Sequence, residues 1–278
     1  MIKKLTIVFI LCLAWLPAIC QNSGQYQVFA IKFCDGWNIP AQEMIDGANP
    51  KDSVRTCNMV WLLKGGNGRN ILVDAGYLDT SKTVDKNYVR PDLVLQRIKL
   101  SADDITDLII THPHLDHIGG INLFPKAKVW IQKDDFDYFV GESWQESGNP
   151  RGFEKNDVRN LIEINLQGRL KFVKGDNIEI IPGIRVFTGS KHTFENQYLL
   201  VNSKTDKVLI ASDAIWFYYN LDHLLPARTY VMDSKAYVEA MKRMKTLVTN
   251  PDLIIPGHDD LVFSKFPTVA EWIVKIGN

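Results

Sequence analysis

Residues 108–117 read Leu-Ile-Ile-Thr-His-Pro-His-Leu-Asp-His, which places ligand-type side chains at His112, His114, Asp116 and His117. The branched run Leu108-Ile109-Ile110 favours a buried strand, and Pro113 cannot continue a hydrogen-bonded ladder, so the histidines fall in a loop at a strand end. Imidazole nitrogens and a carboxylate suit zinc or a similar borderline divalent ion. Four such groups within six residues crowd a single tetrahedral ion but can reach two, so the spacing points to a two-metal site.

Working outward, the same placement recurs three times. His192 follows Val186-Phe187-Thr188-Gly189-Ser190-Lys191, Asp213 ends Val208-Leu209-Ile210-Ala211-Ser212, and His258 follows Leu253-Ile254-Ile255-Pro256-Gly257. Any one of these alone reads as a hydrogen-bonded structural residue. Together they put ligand-type groups beyond the ends of several apolar strands, where sheet proteins carry their sites.

From Tyr26 onward short apolar runs alternate with turn residues. Strands are expected at 28–33, 60–63, 71–73, 128–132 and 198–201, and helices at 91–99, 134–140, 156–166, 234–248 and 268–276. Gly65-Gly66-Asn67-Gly68 reads as a hairpin turn, and the order of elements argues an α/β sandwich. No repeat or low-complexity linker divides the chain, so residues 21–278 read as one domain.

With 46% apolar residues the chain can fill a sizeable core, and 32 basic against 32 acidic side chains give no electrostatic case for nucleic acid or an anionic membrane surface. A small, weakly charged substrate fits this balance. Residues 1–20 read as a secretory signal peptide: Lys3 and Lys4, an apolar stretch too short for a typical span, then Ala18-Ile19-Cys20 before Gln21. The expectation is an exported protein, periplasmic or secreted, not stably inserted in a membrane after cleavage; a lipoprotein modified at Cys20 is the competing reading. Export permits a disulfide between Cys34 and Cys57, which equally suit buried free thiols. Two aromatic segments, 35–55 with Trp37, Pro40 and Met44, and 136–153 with Tyr138, Phe139 and Trp144, serve either as substrate walls or as peripheral core.

The signature His112-x-His114-x-Asp116-His117, followed in order by His192, Asp213 and His258, resembles the metallo-β-lactamase superfamily, and within it the N-acyl-homoserine lactonases that quench quorum sensing. The likeness runs from about Gln27 to Asp260 and includes Ile71-Leu72-Val73-Asp74-Ala75-Gly76, residues 100–106, Gly119-Gly120 and Phe124-Pro125. It implies an αββα four-layer sandwich of two mixed sheets flanked by helices, with two zinc ions at one edge; cobalt, manganese and iron also suit such donors. It further implies one metal on His112, His114 and His192, a second on Asp116, His117 and His258, and Asp213 bridging them. A metal-bridging hydroxide then attacks the lactone carbonyl, and Asp116 passes a proton to the ring oxygen. Asp74 either orients a histidine ligand or is structural at its turn.

The lactonase pattern places a tyrosine three residues beyond the bridging aspartate, where this chain has Trp216. An indole donates one hydrogen bond and accepts none, so Tyr218, Tyr219 and His223 become the candidates for the tyrosine's contact with substrate. Related lactonases are often dimers, which makes a homodimer a possible state. Rival hydrolases on the same fold fit less well. Zinc β-lactamases generally lack the bridging aspartate, and glyoxalase II needs a basic helical region beyond the last histidine where this chain has only Lys265 and Lys275. A broad lactonase or esterase, or a metal-binding scaffold without activity, are the other readings.

Overall fold

The computed structural model describes residues 24–66, 68–78 and 86–277. The leader reading of residues 1–20 lies outside them, as does Asn67 of the hairpin turn.

Two sheets form the centre. The larger takes strands in the order β13-β14-β1-β2-β3-β5-β6-β7, with β4 paired to β1. Their ranges are β1 Gln27–Pro40, β2 Ser53–Lys64, β3 Asn70–Val73, β4 Lys86–Tyr88, β5 Asp107–Ile109, β6 Lys128–Gln132, β7 Leu170–Val173, β13 Thr268–Ala270 and β14 Ile273–Ile276. The smaller sheet runs β12-β11-β10-β9-β8, with β8 Ile178–Ile181, β9 Ile184–Phe187, β10 Tyr198–Asn202, β11 Lys207–Ser212 and β12 Ile254–Pro256. Both are mixed: β3, β5, β6 and β7 are parallel, as are β11 and β12, and the other pairs described are antiparallel.

Side chains alternate across a pleated strand, and that alternation builds four layers. Val28 and Ala30 of β1, Ile71 and Val73 of β3, and Val208 and Ile210 of β11 fill the core between the sheets, around the fully buried Trp61. Their neighbours point outward. Phe29, Ile31, Phe33 and Leu72 pack with Phe136, Phe139, Leu161 and Ile164 from helices Lys133–Val140 and Lys155–Leu166. Leu209 and Ala211 pack with Tyr237, Met241 and Met244 from helix Ser234–Leu247, on the far side of the smaller sheet. Burying each large apolar side chain contributes about 1.5–3 kcal/mol, so strands with both faces covered hold the architecture firmly. Among the described residues no helix is long and apolar enough to cross a membrane.

Two helix expectations need correction, and residues 35–55, for which no element is expected, take one. Residues 268–276, read as a helix, are the hairpin β13–β14, in which Ile273, Val274 and Ile276 pair with β1 across from Ile31, Ala30 and Val28. Branched side chains facing an open strand edge override a spacing that also fits a helix. Residues 35–55 are the outer arm of the β1–β2 hairpin, carrying the single-turn helix Ala41–Met44 at its tip. The helix expected over 91–99 runs Pro91–Leu95 and then tightens into a 3₁₀ turn, Gln96–Ile98, ended by Lys99 in the left-handed region. Cys34 and Cys57 are both buried and are not joined in a disulfide.

Candidate metal centre

The carboxyl ends of β3, β5, β11 and β12 open toward one edge of the sandwich, and each hands a polar residue to it. The loop after β5 carries Thr111 and His112, and the single turn Leu115–Ile118 carries Asp116 and His117. Asp74 follows β3, Ser212 closes β11 and Asp213 follows it, with Asp74 and Ser212 both at positive φ. Such backbone is uncommon outside glycine and turns the chain sharply at the strand end. His258 follows β12, and His192 stands in the loop after β9, clipped where the Asn196 Oδ1 accepts from the His192 N–H (3.0 Å) and from Ser190 Oγ (2.8 Å).

All seven residues expected as metal ligands converge there. His112, His114, His192 and Asp213 form one group of donors and Asp116, His117 and His258 a second. Asp213 stands between them, and its Oδ2 reaches both sides, lying 3.2 Å from His258 Nε2 as well as close to the first group. Its Oδ2 lies 3.3 Å from His192 Nε2 and 3.9 Å from His112 Nε2, while its Oδ1 lies 3.3 Å from His117 Nε2 and 3.1 Å from His258 Nε2. Asp116 Oδ2 completes the second group, 3.4 Å from His117 Nε2 and 3.5 Å from His258 Nε2.

The surrounding hydrogen bonds decide which ring nitrogens keep a lone pair for a metal. Asp74 is fully buried and accepts from Thr111 N (2.7 Å), Thr111 Oγ1 (2.8 Å), Ser212 Oγ (3.1 Å) and His117 Nδ1 (2.8 Å). A proton held on Nδ1 of His117 makes Nε2, which faces Asp116 and Asp213, the nitrogen that gives up its proton and offers a lone pair when a metal binds. The Cys57 carbonyl fixes His258 in the same tautomer (Nδ1···O 3.1 Å), and Thr111 Oγ1 sits 3.0 Å from His112 Nδ1. Asp74 therefore orients the His117 ring and also ties the ends of β3, β5 and β11 together.

These residues fit a pair of cations. His117 Nε2 and Asp213 Oδ1 are buried without a hydrogen-bond partner. His112 Nε2 and His192 Nε2 crowd His114 Nδ1 at 3.0 and 2.9 Å, a convergence of nitrogens that a shared cation satisfies and neutral rings do not. Two glycines keep the donors in place. A Cβ on Gly257 would stand 2.4 Å from Asp213 Oδ1, and one on Gly152, which is at φ +82°, 2.6 Å from the His114 ring.

The two halves differ in charge. Burial, with the neighbouring histidines, holds His112 well below the usual imidazole range. Burial likewise keeps His192 well below it and takes His114 down to about 4, so these rings are neutral at pH 7. Burial also disfavours a charge on His258, but Asp213 and Asp116 outweigh it and raise the ring to about 9; Asp116, Asp213 and Asp74 raise His117 in the same way. Zinc added to chelator-stripped protein at pH 7 should therefore displace protons at the His117 and His258 side and release them to solvent. Affinity there should grow as pH rises toward about 9, while the His112, His114 and His192 side should stay nearly flat down to about pH 4. In stripped protein the stability from His258, whose folded value is raised, is full below its ordinary value of 6.5 and is lost as pH climbs through about 9. Calorimetry in buffers of different ionisation enthalpy measures the released protons, and zinc uptake without net release would contradict this division.

The donors open into a cleft of about 310 Å³ walled by Trp37, Ile39, Met44, Leu115, Trp216 and Tyr230. Trp216 is buried, and its Nε1–H donates to Asp213 Oδ2 at 2.8 Å. The indole thus braces the shared carboxylate. Tyr218, Tyr219 and His223, expected to contact substrate, do not line this cleft. They belong to the helix Tyr218–His223, which begins two residues beyond Trp216 and leaves the site. Tyr218 packs into the core between the sheets beneath Lys265, Tyr219 donates to Asp52 Oδ2 (2.9 Å), and His223 stacks on Tyr219 at the surface. The tyrosine that does reach the site is Tyr230, whose ring lies 5.4 Å from that of His114 and 6.4 Å from that of Trp216. Its positive φ belongs to a loop that no local pattern marks. Of the two aromatic segments, 35–55 contributes Trp37 and Met44 to the wall, and 136–153 contributes Gly152 there and sets Phe153 5.5 Å from His114. Tyr138 and Phe139 are buried in the peripheral core, against which Trp144 packs.

A family model described as "Metallo-beta-lactamase superfamily" matches residues 54–258. An N-acyl homoserine lactonase of Bacillus sp is 27% identical over 168 residues, 60% of each chain; this chain thus spans about 60% of the length of that relative. A solved quorum-quenching N-acyl homoserine lactone lactonase superposes with TM-score 0.70 at 21% identity, covering 90% of this chain and 98% of its own. AidC, a dizinc quorum-quenching lactonase solved with a product, superposes with TM-score 0.66 at 18% identity over 85% of this chain and 88% of its own.

Proposed function

The chain belongs to the metallo-β-lactamase superfamily, and from that premise we propose that it is an exported, two-metal lactonase that opens the ring of N-acyl homoserine lactones. The place of Asp213 between the two groups of donors, within 3.3 Å of His192 Nε2 on one side and of His117 and His258 Nε2 on the other, carries the two-metal part. The curated relatives named N-acyl homoserine lactonase support the substrate.

His112, His114 and His192 would hold one zinc ion and Asp116, His117 and His258 the other, with Asp213 shared. Bound zinc supplies water ionised at neutral pH and polarisation of an ester carbonyl. The protein's own groups do the rest. Trp37, Ile39, Met44 and Leu115 hold an acyl chain against the cleft wall and keep water from it. Asp116 stands at the cleft with Oδ2 turned to His117 and His258, and its other oxygen takes the proton of the attacking water and delivers it to the departing ring oxygen.

Trp216 favours a second reading, a broader lactonase or esterase, because the expected tyrosine contact with substrate is absent and the indole is committed to Asp213. The glutathione thioester reading loses support, since residues 268–276 form strands rather than a basic helix. The experiment is turnover of homoserine lactones of graded acyl length by zinc-loaded protein beginning at Gln21, beside an aryl ester, nitrocefin and S-lactoylglutathione. Preferred hydrolysis of the acyl homoserine lactones is expected. Faster turnover of the aryl ester would favour the broader reading, and no lactone turnover with zinc bound would end the lactonase assignment. Export predicts a mature mass starting at Gln21, and a retained leader would contradict it.

A further inference from the structure

A second cavity, of about 180 Å³, adjoins the metal cleft and shares His114, His192 and Tyr230 with it. Its remaining walls differ in kind from the apolar side: they include Arg151, Arg228 and Asn149, and no carboxylate. Elsewhere Arg55, Arg69, Arg90, Arg97, Arg185 and Arg243 each pair with an acidic side chain, and Arg159 and Arg169 are held by neutral oxygens of Asn156, Gln167, Phe124 and Ala127. Arg151 and Arg228 have no acidic partner among the described residues. Arg151 lies over the Tyr230 ring, its guanidinium carbon 4.4 Å from the centroid. Stacking of that kind orders a guanidinium while leaving its in-plane N–H groups free to bind a planar anion. Arg228 is anchored by one donor, Nη1, to the Gln42 carbonyl (2.8 Å), which leaves its other donors available.

We propose that this cavity is a subsite for a carboxylate carried by the substrate, so that the chain acts on lactones or esters bearing a second, anionic group. The inference rests on the lactonase reading above and narrows its substrate class to such lactones or esters, N-acyl homoserine lactones with a carboxylate on the acyl chain among them. Two guanidiniums that line one small cavity, neither paired with an acid, hold an anion better than either alone, since paired N–H···O contacts to a carboxylate add geometry to charge. Tyr230 separates this basic side from the apolar side, so one substrate can present an apolar group to Trp37 and Met44 and an anionic one to Arg151 and Arg228.

Equilibrium binding tests this without depending on turnover. Glutarate, adipate and pimelate are titrated into zinc-loaded protein by calorimetry beside hexanoate, which shares one carboxylate with them and lacks the second. At least one diacid should bind roughly tenfold tighter than hexanoate, with the advantage shrinking as salt is raised. Arg151→Gln with Arg228→Gln should abolish the advantage while leaving hexanoate affinity within about twofold, and the double Lys variant should keep part of it. Should the double Gln variant fail to fold, Arg151→Gln alone reads the same loss, because that guanidinium only stacks on an exposed ring. Diacids no tighter than hexanoate, or an advantage that survives the Gln variants, would overturn the subsite. Lactone turnover can fail while the diacid preference stands, so the two results separate this inference from the reading it rests on.

Discussion

Asp213→Asn should remove turnover by a factor on the order of a hundred to a thousand and leave the protein unable to hold two metal ions at once. The carboxylate has no slack for the change. Oδ2 accepts the Trp216 indole N–H at 2.8 Å and faces both His192 and His258 Nε2, while Oδ1 faces His117 and His258 at 3.3 and 3.1 Å and has no hydrogen bond of its own. An amide must put its NH₂ on one of these sides. Turned toward Trp216 it sets donor against donor; turned the other way it directs hydrogens at the lone pairs of His117 and His258. Either way the negative charge between the two groups is gone. Metal content by mass spectrometry and kcat on the same preparation check this, and a variant that retains two ions and most of its turnover would show that Asp213 is not shared.

The second large effect lies one shell further out. Asp74→Asn should weaken metal binding at the His117 side by roughly 10–100-fold and leave the His112 side nearly intact. The acceptor Oδ2 of Asp74 takes N–H from His117 Nδ1 and O–H from Thr111 and Ser212. An asparagine keeps one acceptor for the Thr111 N–H and turns NH₂ toward the others. The hydroxyls can rotate and accept, but His117 must move its proton to Nε2, the atom needed by the metal. The buried mismatch should also cost about 1–3 kcal/mol of stability. Nitrogen NMR of the histidine rings reports the tautomer directly, and an unchanged Nδ1–H on His117 would refute this chain of cause.

Much of the site was legible because metal chemistry constrains both residue type and placement. His112, His114, Asp116 and His117 crowd one loop, and His192, Asp213 and His258 each follow an apolar run, so strand ends alone predict their convergence. Asp74 was legible for the same reason, as a polar residue ending Ile71-Leu72-Val73. The layers were readable from alternation, since strands covered on both faces must carry apolar side chains on both.

What escaped the sequence depends on partners far along the chain. Tyr230 reaches the cleft through a loop whose course is set by bonds such as Arg228 N to the Met44 carbonyl and Met232 N to the Lys191 carbonyl. Gln197 links the His192 loop to the His112 strand end by donating from Nε2 to the Ile110 carbonyl (2.7 Å), and nothing near Gln197 in sequence announces it. Tyr218, Tyr219 and His223 stand close to Asp213 in sequence, yet a helix starting at Tyr218 rotates them away. In the hairpin β13–β14, Val269, Trp272, Ile273 and Ile276 share a helical spacing, and only the free edge of β1 decides for strand.

The most direct measurement is anomalous X-ray scattering at the zinc edge from crystals of the zinc-loaded protein. Two peaks flanking Asp213 are predicted, one in reach of His112, His114 and His192 and the other of Asp116, His117 and His258. A single peak, or zinc held anywhere that leaves one of these groups unliganded, would contradict a shared two-metal centre.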